Sequence, residues 1–260
     1  MLPGVHRWFA IVAVLTLTLP AAAQGDFESF RVELTASAWL VTSSGTIQSG
    51  ITPVDLRRDL QLDSSQPHFF GKLVVKPARR HRIMIEGIPY RLNGAATISR
   101  QIVFAGRTYN IQDFVTSKAD IDYVAGAYQF DIVSRPQGHL GLLAGVGFVD
   151  ATGTLTSRNF GFNGAEHQSF PFPQAGAEGR AFLLPHRNLL EIDGEIKGMS
   201  LGSYGHYLQF AVHGGVSVGH RLTFQAGFMR ATADVHRQDN TRGFQPTFNG
   251  PIFGIQLRDR

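Results

Sequence analysis

Apolar and polar residues alternate in segment after segment along this chain, and this alternation constrains its fold more than any other feature. Between residues 30 and 40 the apolar set is Phe30, Val32, Leu34, Ala36, Ala38 and Leu40, and the residues between them include Arg31, Glu33, Thr35 and Ser37. The same pattern recurs over residues 190–198, 208–218, 222–228 and 253–257. A period of two is that of a β-strand with two different faces, so the pattern predicts an all-β chain.

The charged residues of one segment indicate which face is buried in lipid. Between residues 190 and 198 a single face carries Glu191, Asp193, Glu195 and Lys197, and the other face is apolar. Charges on a lipid-facing surface cost several kcal/mol each, so in a membrane this charged face must line a polar interior. The opposite arrangement, a soluble lipocalin-like periplasmic barrel, would bury the apolar face and leave the charges in water.

The connections between segments predict a closed, up-and-down antiparallel transmembrane β-barrel. Tight turns are indicated at 76–80, 134–138, 185–188 and 219–221, and longer irregular stretches at 41–67, 157–173, 203–206 and 237–246, with a hairpin near 105–107. Short turns on one side and long loops on the other are typical of membrane barrels. Four tight turns with both termini on their side give about ten strands, or eight if residues 174–184 form no strand.

The first 23 residues have the layout of a secretory signal peptide. A basic pair, His6 and Arg7, precedes an apolar run of about a dozen residues, and Ala21–Ala23 offers a cleavage site. That run is shorter than the roughly 20 residues a membrane helix needs. We therefore expect residues 1–23 to be removed and residues 24–260 to form the barrel domain in the outer membrane.

Composition excludes several other classes of protein. The chain has no cysteine, which excludes disulfides, thiolate metal sites and a lipoprotein anchor. Without Arg7 the chain has 23 basic and 20 acidic residues spread along its length, so no nucleic-acid partner is expected. The ten histidines are scattered without ligand spacing, so neither a metal nor a cofactor is expected.

At the level of pattern, the chain resembles the small bacterial outer-membrane β-barrel proteins. The resemblance implies a monomer whose partners are outer-membrane lipid and the barrel assembly machinery. Such proteins often end in an aromatic residue, whereas this chain ends in Leu257-Arg258-Asp259-Arg260. Phe253 and Leu257 nevertheless fall on the predicted apolar face. Nine aromatic residues are expected at the lipid interface or in the interior: Trp39, Phe69, Phe70, Tyr90, Tyr123, Tyr128, Phe148, Tyr207 and Phe228.

The predicted interior suggests a structural or surface-interaction protein, or one that passes small solutes through a narrow path. The expected lining residues are Arg31, Glu33, Lys72, Glu86, Glu178, Arg180, Glu191, Asp193, Glu195 and Lys197. They are expected to pair into a salt-bridged plug, since buried charges persist only when they are paired. Thr52 to Leu60 has the start signals of a short helix, with Val54, Leu56 and Leu60 packed down, and would cap the barrel mouth, or gate it or bind a ligand there.

Two sets of residues suggest a membrane-embedded hydrolase instead. Asp120 and Asp122 with Asp234 and His236 look like the acid and Asp-His pairs of omptin proteases, in which a carboxylate-oriented histidine activates water. Strand parity, however, puts positions 234 and 236 on the lipid side. His167 and Ser169 with Glu178 are similar in type to the residues of lipid A deacylases, but they lie among glycines and prolines that favour a loop. No catalysis is the leading expectation.

Overall fold

The computed structural model describes residues 28–49, 53–62, 66–183, 190–200, 205–219, 221–236 and 242–259. The predicted signal peptide lies outside this range. The strands are β1 (Val32–Ser49), β2 (Pro53–Asp55), β3 (Gln66–Ala78), β4 (His81–Thr97), β5 (Ile102–Phe104), β6 (Arg107–Tyr109), β7 (Phe114–Arg135), β8 (Gly138–Ser157), β9 (Asn163–Phe182), β10 (Leu190–Ser200), β11 (Gly205–Val218), β12 (Leu222–His236) and β13 (Arg242–Arg258).

Ten long strands form one closed antiparallel barrel. Each long strand pairs with the next one along the chain, and β13 pairs back onto β1, where Leu34 lies opposite Leu257. The short strand β2 adds to the outer part of β1, and β5 with β6 forms a separate hairpin. The prediction of ten strands in up-and-down order is confirmed. The eight-strand alternative is wrong, because residues 174–182 belong to β9.

Both ends of the barrel follow the predicted division into short and long connections. We call the end with the short turns and both termini the turn end, and the opposite end the loop end. Two residues join β3 to β4 and two join β7 to β8, and the hairpin of β5 and β6 lies at the predicted place. The predicted loop at 157–173 is largely wrong, since β9 begins at Asn163 and continues through both prolines. At the loop end the strands therefore extend further than the alternation indicated.

The expected helix near residues 52–60 is also wrong. Residues 53–55 form β2 and residues 56–60 form turns. The Asp55 carboxylate accepts hydrogen bonds from the backbone amides of Arg57 and Arg58, which holds a tight turn in place. Val54, Leu56 and Leu60 are buried as expected, but a turn rather than a helix buries them.

Apolar residues cover the outside of the barrel wall and charged residues lie inside it. On β10, Ile192 and Ile196 are 45% and 48% exposed, whereas Glu191 and Lys197 on the opposite face are 1% and 3% exposed. The same division recurs around the wall, and Phe253 and Leu257 face outward as predicted. This is the arrangement of a membrane barrel, and it contradicts the soluble lipocalin-like reading, which needs the apolar face inside.

The outward apolar residues form a band that ends at a polar boundary toward the loop end. On β7 the band includes Val124 and Tyr128 and gives way to Asp122, and on β8 it includes Phe148 and gives way to Asp150. From Val124 to Ile132 the outward face of β7 covers nine residues, close to the ~9–11 that a tilted strand needs to cross a bilayer. Among the described residues no helix is long and apolar enough to span a membrane.

Candidate functional site

Buried ion pairs fill the turn end of the barrel. Glu33 on β1 accepts two hydrogen bonds from Arg180 of β9, at 2.8 and 2.9 Å, and a third from Arg258 of β13, at 2.7 Å. Arg258 also pairs with Glu191 of β10 at 2.8 Å. All four side chains are at least 95% buried. Since four strands supply these groups, the network connects opposite parts of the wall.

The segment before β1 closes the turn end from below. Phe30 is buried beneath three cations, with Lys76 4.7 Å and Arg82 and Arg258 each 5.7 Å from its ring centroid. Glu28 pairs with Arg82 at 2.7 Å and with His139 at 3.2 Å. The segment is thus held by charge pairing as well as by burial of its aromatic ring.

A second charged layer lies above the first. Lys72 of β3 pairs with Glu195 of β10 at 2.6 Å and with Glu178 of β9 at 3.4 Å. Lys197 pairs with Glu195 at 2.7 Å and with Glu86 of β4. Each cation therefore contacts two carboxylates, which is the pairing that buried charges require. In the same layer Asp193 contacts His213 at 2.9 Å.

The structure places nine of the ten residues assigned to the interior inside the barrel, and brings them together in these two layers: Glu33, Lys72, Glu86, Glu178, Arg180, Glu191, Asp193, Glu195 and Lys197. The assignment of Arg31 to the interior is wrong, because this residue precedes β1 and its side chain is exposed. The network also includes charged residues that the sequence reasoning missed: Glu28, Lys76, Arg82, Asp131 and Arg258. Arg82 and Arg258 alternate with outward apolar neighbours, so strand parity was a usable signal for them.

Little free space is left between the charged side chains. A cavity of about 30 Å³ lies among Glu33, Lys72, Arg180 and Glu195. Such a volume holds only about two water molecules, since one needs at least ~10–15 Å³. The charged layers therefore fill the cross-section of the barrel as a plug.

Tyrosine side chains separate the charged layers from an apolar region nearer the loop end. Tyr123 donates a hydrogen bond to Glu86 at 2.8 Å, and Tyr207 donates one to Gln209. Both rings pack against Phe172 on the side away from the charges: Tyr123 stacks on it with the centroids 6.1 Å apart, and Tyr207 lies tilted to it with the centroids 5.2 Å apart. A tyrosine suits this position because its hydroxyl group can remain hydrogen-bonded while its ring packs in apolar surroundings.

Above these tyrosines lies a pocket of about 70 Å³, which we call the mouth pocket. Its lining is almost entirely apolar: Tyr90, Ile121, Tyr123, Val149, Phe170, Phe172, Met199, Tyr207, Ala231, Thr232, Ala233, Val235, Phe244, Pro246 and Phe248. Tyr90 and Phe248 stack with their centroids 4.7 Å apart, and Trp39 packs edge-on against Tyr90 at 5.9 Å. The mouth pocket is thus an aromatic site closed below by the charged plug. Of the nine aromatic residues named from the sequence, Trp39, Phe70, Tyr90, Tyr123 and Tyr207 pack inside, and Phe69, Tyr128, Phe148 and Phe228 lie on the outer face.

Two loops cover the part of the mouth beside this pocket. The buried apolar residues of the turn at 54–62 and of the β5–β6 hairpin pack inside the barrel rim: Val54, Leu56, Leu60, Leu62, Ile102, Phe104 and Tyr109. Tyr109 donates a hydrogen bond to the carbonyl of Leu155, at 2.6 Å. A Cβ at Gly94 would lie 2.3 Å from the carbonyl oxygen of Leu60, so only glycine allows the turn to approach β4 so closely. This cover leaves open the part of the mouth in which the mouth pocket lies.

Asp59 holds this cover in place. Burial works to raise the pKa of Asp59, but hydrogen bonds from Arg100, from the Asp55 amide and from Arg58 outweigh it and lower the pKa below its usual value. The bond from Arg100 in turn raises the pKa of that guanidinium. The ion pair therefore remains charged at neutral pH and links the turn at 56–60 to the segment after β4.

The three aspartates proposed for a protease do not converge. Asp120 and Asp122 alternate with inward Ala119, Ile121 and Tyr123, so they face outward, above the apolar band. Asp122 pairs with Arg91 at 2.6 Å, and Asp120 with Lys118 at 2.8 Å. Asp234 lies on β12, half the barrel away in strand order, and accepts a hydrogen bond from Gln245. The side chain of His236 lies outside the described part of the structure.

The set resembling a deacylase is divided between the two faces of one strand. His167 and Ser169 lie on β9, not in a loop, and both are exposed on the outer face. Glu178 is buried inside and pairs with Lys72. The acid near His167 is Asp150 on β8, at 3.5 Å, while Thr152 lies 3.1 Å from the same ring nitrogen. Glu178 therefore cannot orient His167.

Among the described residues there is also no group of three or more histidine, aspartate or glutamate side chains placed to hold a metal.

Comparison with solved structures identifies the fold. No protein-family model and no curated protein matches the chain. The outer membrane protease OmpT from Escherichia coli matches with a TM-score of 0.61 at 11% identity, over 91% of this chain and 99% of that one. The translocator domain of the autotransporter NalP from Neisseria meningitidis matches with a TM-score of 0.48 at 9% identity, over 88% of each chain. The first likeness shows that the chain has the closed ten-stranded fold of an outer-membrane barrel.

Proposed function

We propose that this protein is a bacterial outer-membrane barrel with a closed lumen that binds a small apolar molecule in the mouth pocket. The observation that carries the proposal is the position of an aromatic, almost wholly apolar pocket directly above a plug of buried ion pairs. A ligand can enter the loop end of such a barrel but cannot pass through it. The proposed role is binding at the cell surface, without catalysis.

The outer surface supports the location in a membrane. A band of outward apolar residues surrounds the barrel, and its thickness on β7 suits a bilayer. The polar boundary at Asp122 and Asp150 then lies at the outer interface. Along most of this band each strand pairs with two neighbours, so the ladders satisfy most backbone groups of the wall at the level of lipid.

The plug supports a closed lumen. Six cations and their carboxylates occupy the barrel cross-section, and the cavity between them is about 30 Å³. A hydrated ion needs a continuous aqueous path, and separating these pairs inside the barrel would leave uncompensated buried charges. In planar lipid bilayers we expect the folded protein to show no ohmic conductance above the bare membrane. Stable open-channel steps would refute the closed lumen.

Trp39 provides a direct test of binding. In a chain lacking residues 1–23 it is the only tryptophan, and it packs against Tyr90, a wall residue of the mouth pocket. Titration with a narrow linear hydrocarbon such as pentane should produce a saturable change in its emission. An unsaturable change proportional to concentration, as in simple partitioning into detergent, would contradict a site.

A matched pair of variants assigns the signal to the pocket. Ala231 lines the mouth pocket, whereas Ala226 on the same strand faces outward. Ala231→Phe should abolish the saturable change, and Ala226→Phe should retain it. If Ala231→Phe fails to fold, Ala233→Phe fills the pocket nearer its rim. Equal behaviour of the folded variants would overturn the assignment.

A further inference from the structure

Within the described residues, the ladder between β9 and β10 ends before β10 does. β9 pairs with β8 from Asn163 to Ala181, along nearly its whole length. Among the described residues, its pairing with β10 runs only from Ala175, opposite Gly198, to Phe182, opposite Glu191. Pro173 and Gln174 of β9 therefore have no ladder partner on that side, although Met199 and Ser200 of β10 continue beyond Gly198 and are described. We call residues 171–174 of β9 the edge.

The sequence of this part of β9 is that of an edge. Pro171 and Pro173 occupy alternate positions, so their backbone nitrogens point to the same side of the strand. Proline has no amide hydrogen to donate, and within sheets it is tolerated at edges and not in fully paired strands. Two such residues on one side prevent a regular ladder from forming there.

This edge begins at the level of the apolar band. Pro173 lies opposite Val146 and Pro171 opposite Phe148 on β8. Val146 and Phe148 are both outward residues of the band, 57% and 45% exposed, and the next outward residue toward the loop end is Asp150. The edge is thus level with the upper end of the apolar band, just below the polar boundary at Asp150.

The mouth pocket lies directly behind the same edge. Phe170 and Phe172, which alternate with the two prolines, line it from β9, and Met199 and Tyr207 line it from β10 and β11. On the outer face beside the edge, Ser200 and His206 are exposed and polar. An apolar chain entering between β9 and β10 would therefore pass from the band into an aromatic pocket and leave its polar end among polar side chains.

We infer that the ligand of the mouth pocket is the end of an acyl chain from a lipid of the outer leaflet, which enters sideways between β9 and β10. The inference rests on the proposed function and adds the ligand class and the route. The pocket volume of about 70 Å³ is less than half of the ~150 Å³ cavity that accommodates a benzene molecule. It suits the narrow end of a linear chain whose remaining length stays in the membrane.

Photocrosslinking from lipid tests the route directly. The folded chain lacking residues 1–23 is reconstituted in phosphatidylethanolamine vesicles containing a trace lipid with a diazirine at the end of one acyl chain. After irradiation, labelled peptides are mapped by mass spectrometry. Phe172 and Tyr207 face the interior, so their labelling requires a chain inside the barrel, whereas Phe148 on the outer face is labelled from the surrounding bilayer in any case.

The expected result is labelling of the inward residues as strong as that of the outward band. Ala233→Phe should reduce the inward labelling at least tenfold and leave the outward labelling unchanged, and Ala226→Phe should change neither. Moving the diazirine to the headgroup should shift labelling to exposed residues near Ser200 and His206.

A water-borne probe separates this inference from the proposed function. If a small diazirine-bearing hydrocarbon added from solution labels Phe172 and Tyr207 but the lipid labels only outward residues, the pocket binds ligands from outside the membrane and the lateral route is wrong. If neither probe labels the inward residues, both the proposed function and the inference fail.

Discussion

Glu33→Gln is the change that most sharply tests the charged plug. Glu33 accepts three hydrogen bonds from two arginines, and all three side chains are almost fully buried. Glutamine retains one acceptor oxygen but directs an amide donor at a guanidinium. Arg258 still contacts Glu191, whereas the remaining carboxylate near Arg180 is Glu28, at 3.7 Å. One arginine therefore loses its principal partner within the barrel.

Removing one partner from a buried pair destabilises a protein by about 3–5 kcal/mol, because the other charge stays buried without compensation. That range corresponds to a reduction of roughly 100- to 4,000-fold in the ratio of folded to unfolded protein, at about 1.4 kcal/mol for each factor of ten. Urea titration of the protein refolded in detergent micelles measures the effect, with the heat-dependent shift in electrophoretic mobility as a second readout of folding.

Asp122→Asn is the matched control. Its pair with Arg91 has similar geometry, 2.6 Å, but the two side chains are 39% and 40% exposed. Exposed pairs contribute only about 0–1 kcal/mol, so the free energy of unfolding of this variant should be close to that of the wild type. If Glu33→Gln behaves like Asp122→Asn, the ion pairs of the plug do not stabilise the barrel as described. Glu33→Leu combined with Arg180→Met should recover much of the lost stability, since it removes both charges.

The remaining predictions concern the loops and the mouth pocket. The pKa of Asp59 is lowered in the folded protein, so its contribution to loop ordering is complete above about pH 4 and is lost as pH falls through the folded-state pKa. Amide exchange over residues 53–62, corrected for the intrinsic pH effect, should therefore accelerate as pH falls through that pKa. In Arg100→Met this acceleration should be much smaller. A Cβ at Gly147 would lie 2.4–2.9 Å from ring atoms of Phe172. Gly147→Ala should therefore displace the ring and weaken ligand binding at least tenfold in the Trp39 titration. Unchanged affinity would show that the position of the Phe172 ring does not matter for binding. Peptide-cleavage assays should find no activity, and any cleavage that Asp234→Asn abolishes would contradict the outward placement of these acids.

Strand parity accounts for the part of this structure that the sequence predicts well. In a strand the side chain alternates without drift, so apolar residues at Ile192 and Ile196 fix the opposite direction for Glu191 and Lys197 whatever the rest of the chain does. The turn residues at 76–80 and 134–138 then set the number of hairpins. These local signals are sufficient for ten strands, the closed barrel and most of the charged plug.

The features of the structure that the sequence does not predict depend on contacts between distant segments. Glu28 lies before the first strand, where no alternation applies, and is placed by its contacts with Arg82 and His139. Gly161, Gly164 and the prolines of β9 indicated a loop, but β8 pairs with this stretch through Asn163. The mouth pocket is likewise assembled from eight strands, and no single segment carries its pattern.

The closest test of the account is whether the outer wall faces lipid while the loop-end acids face water. The chain has no cysteine, so a single spin label can be introduced by Ile196→Cys in the band or by Asp122→Cys above it, in protein reconstituted in lipid vesicles. The account predicts that the label at position 196 collides often with oxygen and rarely with a water-soluble nickel chelate, and that the label at position 122 does the reverse. Equal access of the chelate to both labels would contradict the membrane barrel.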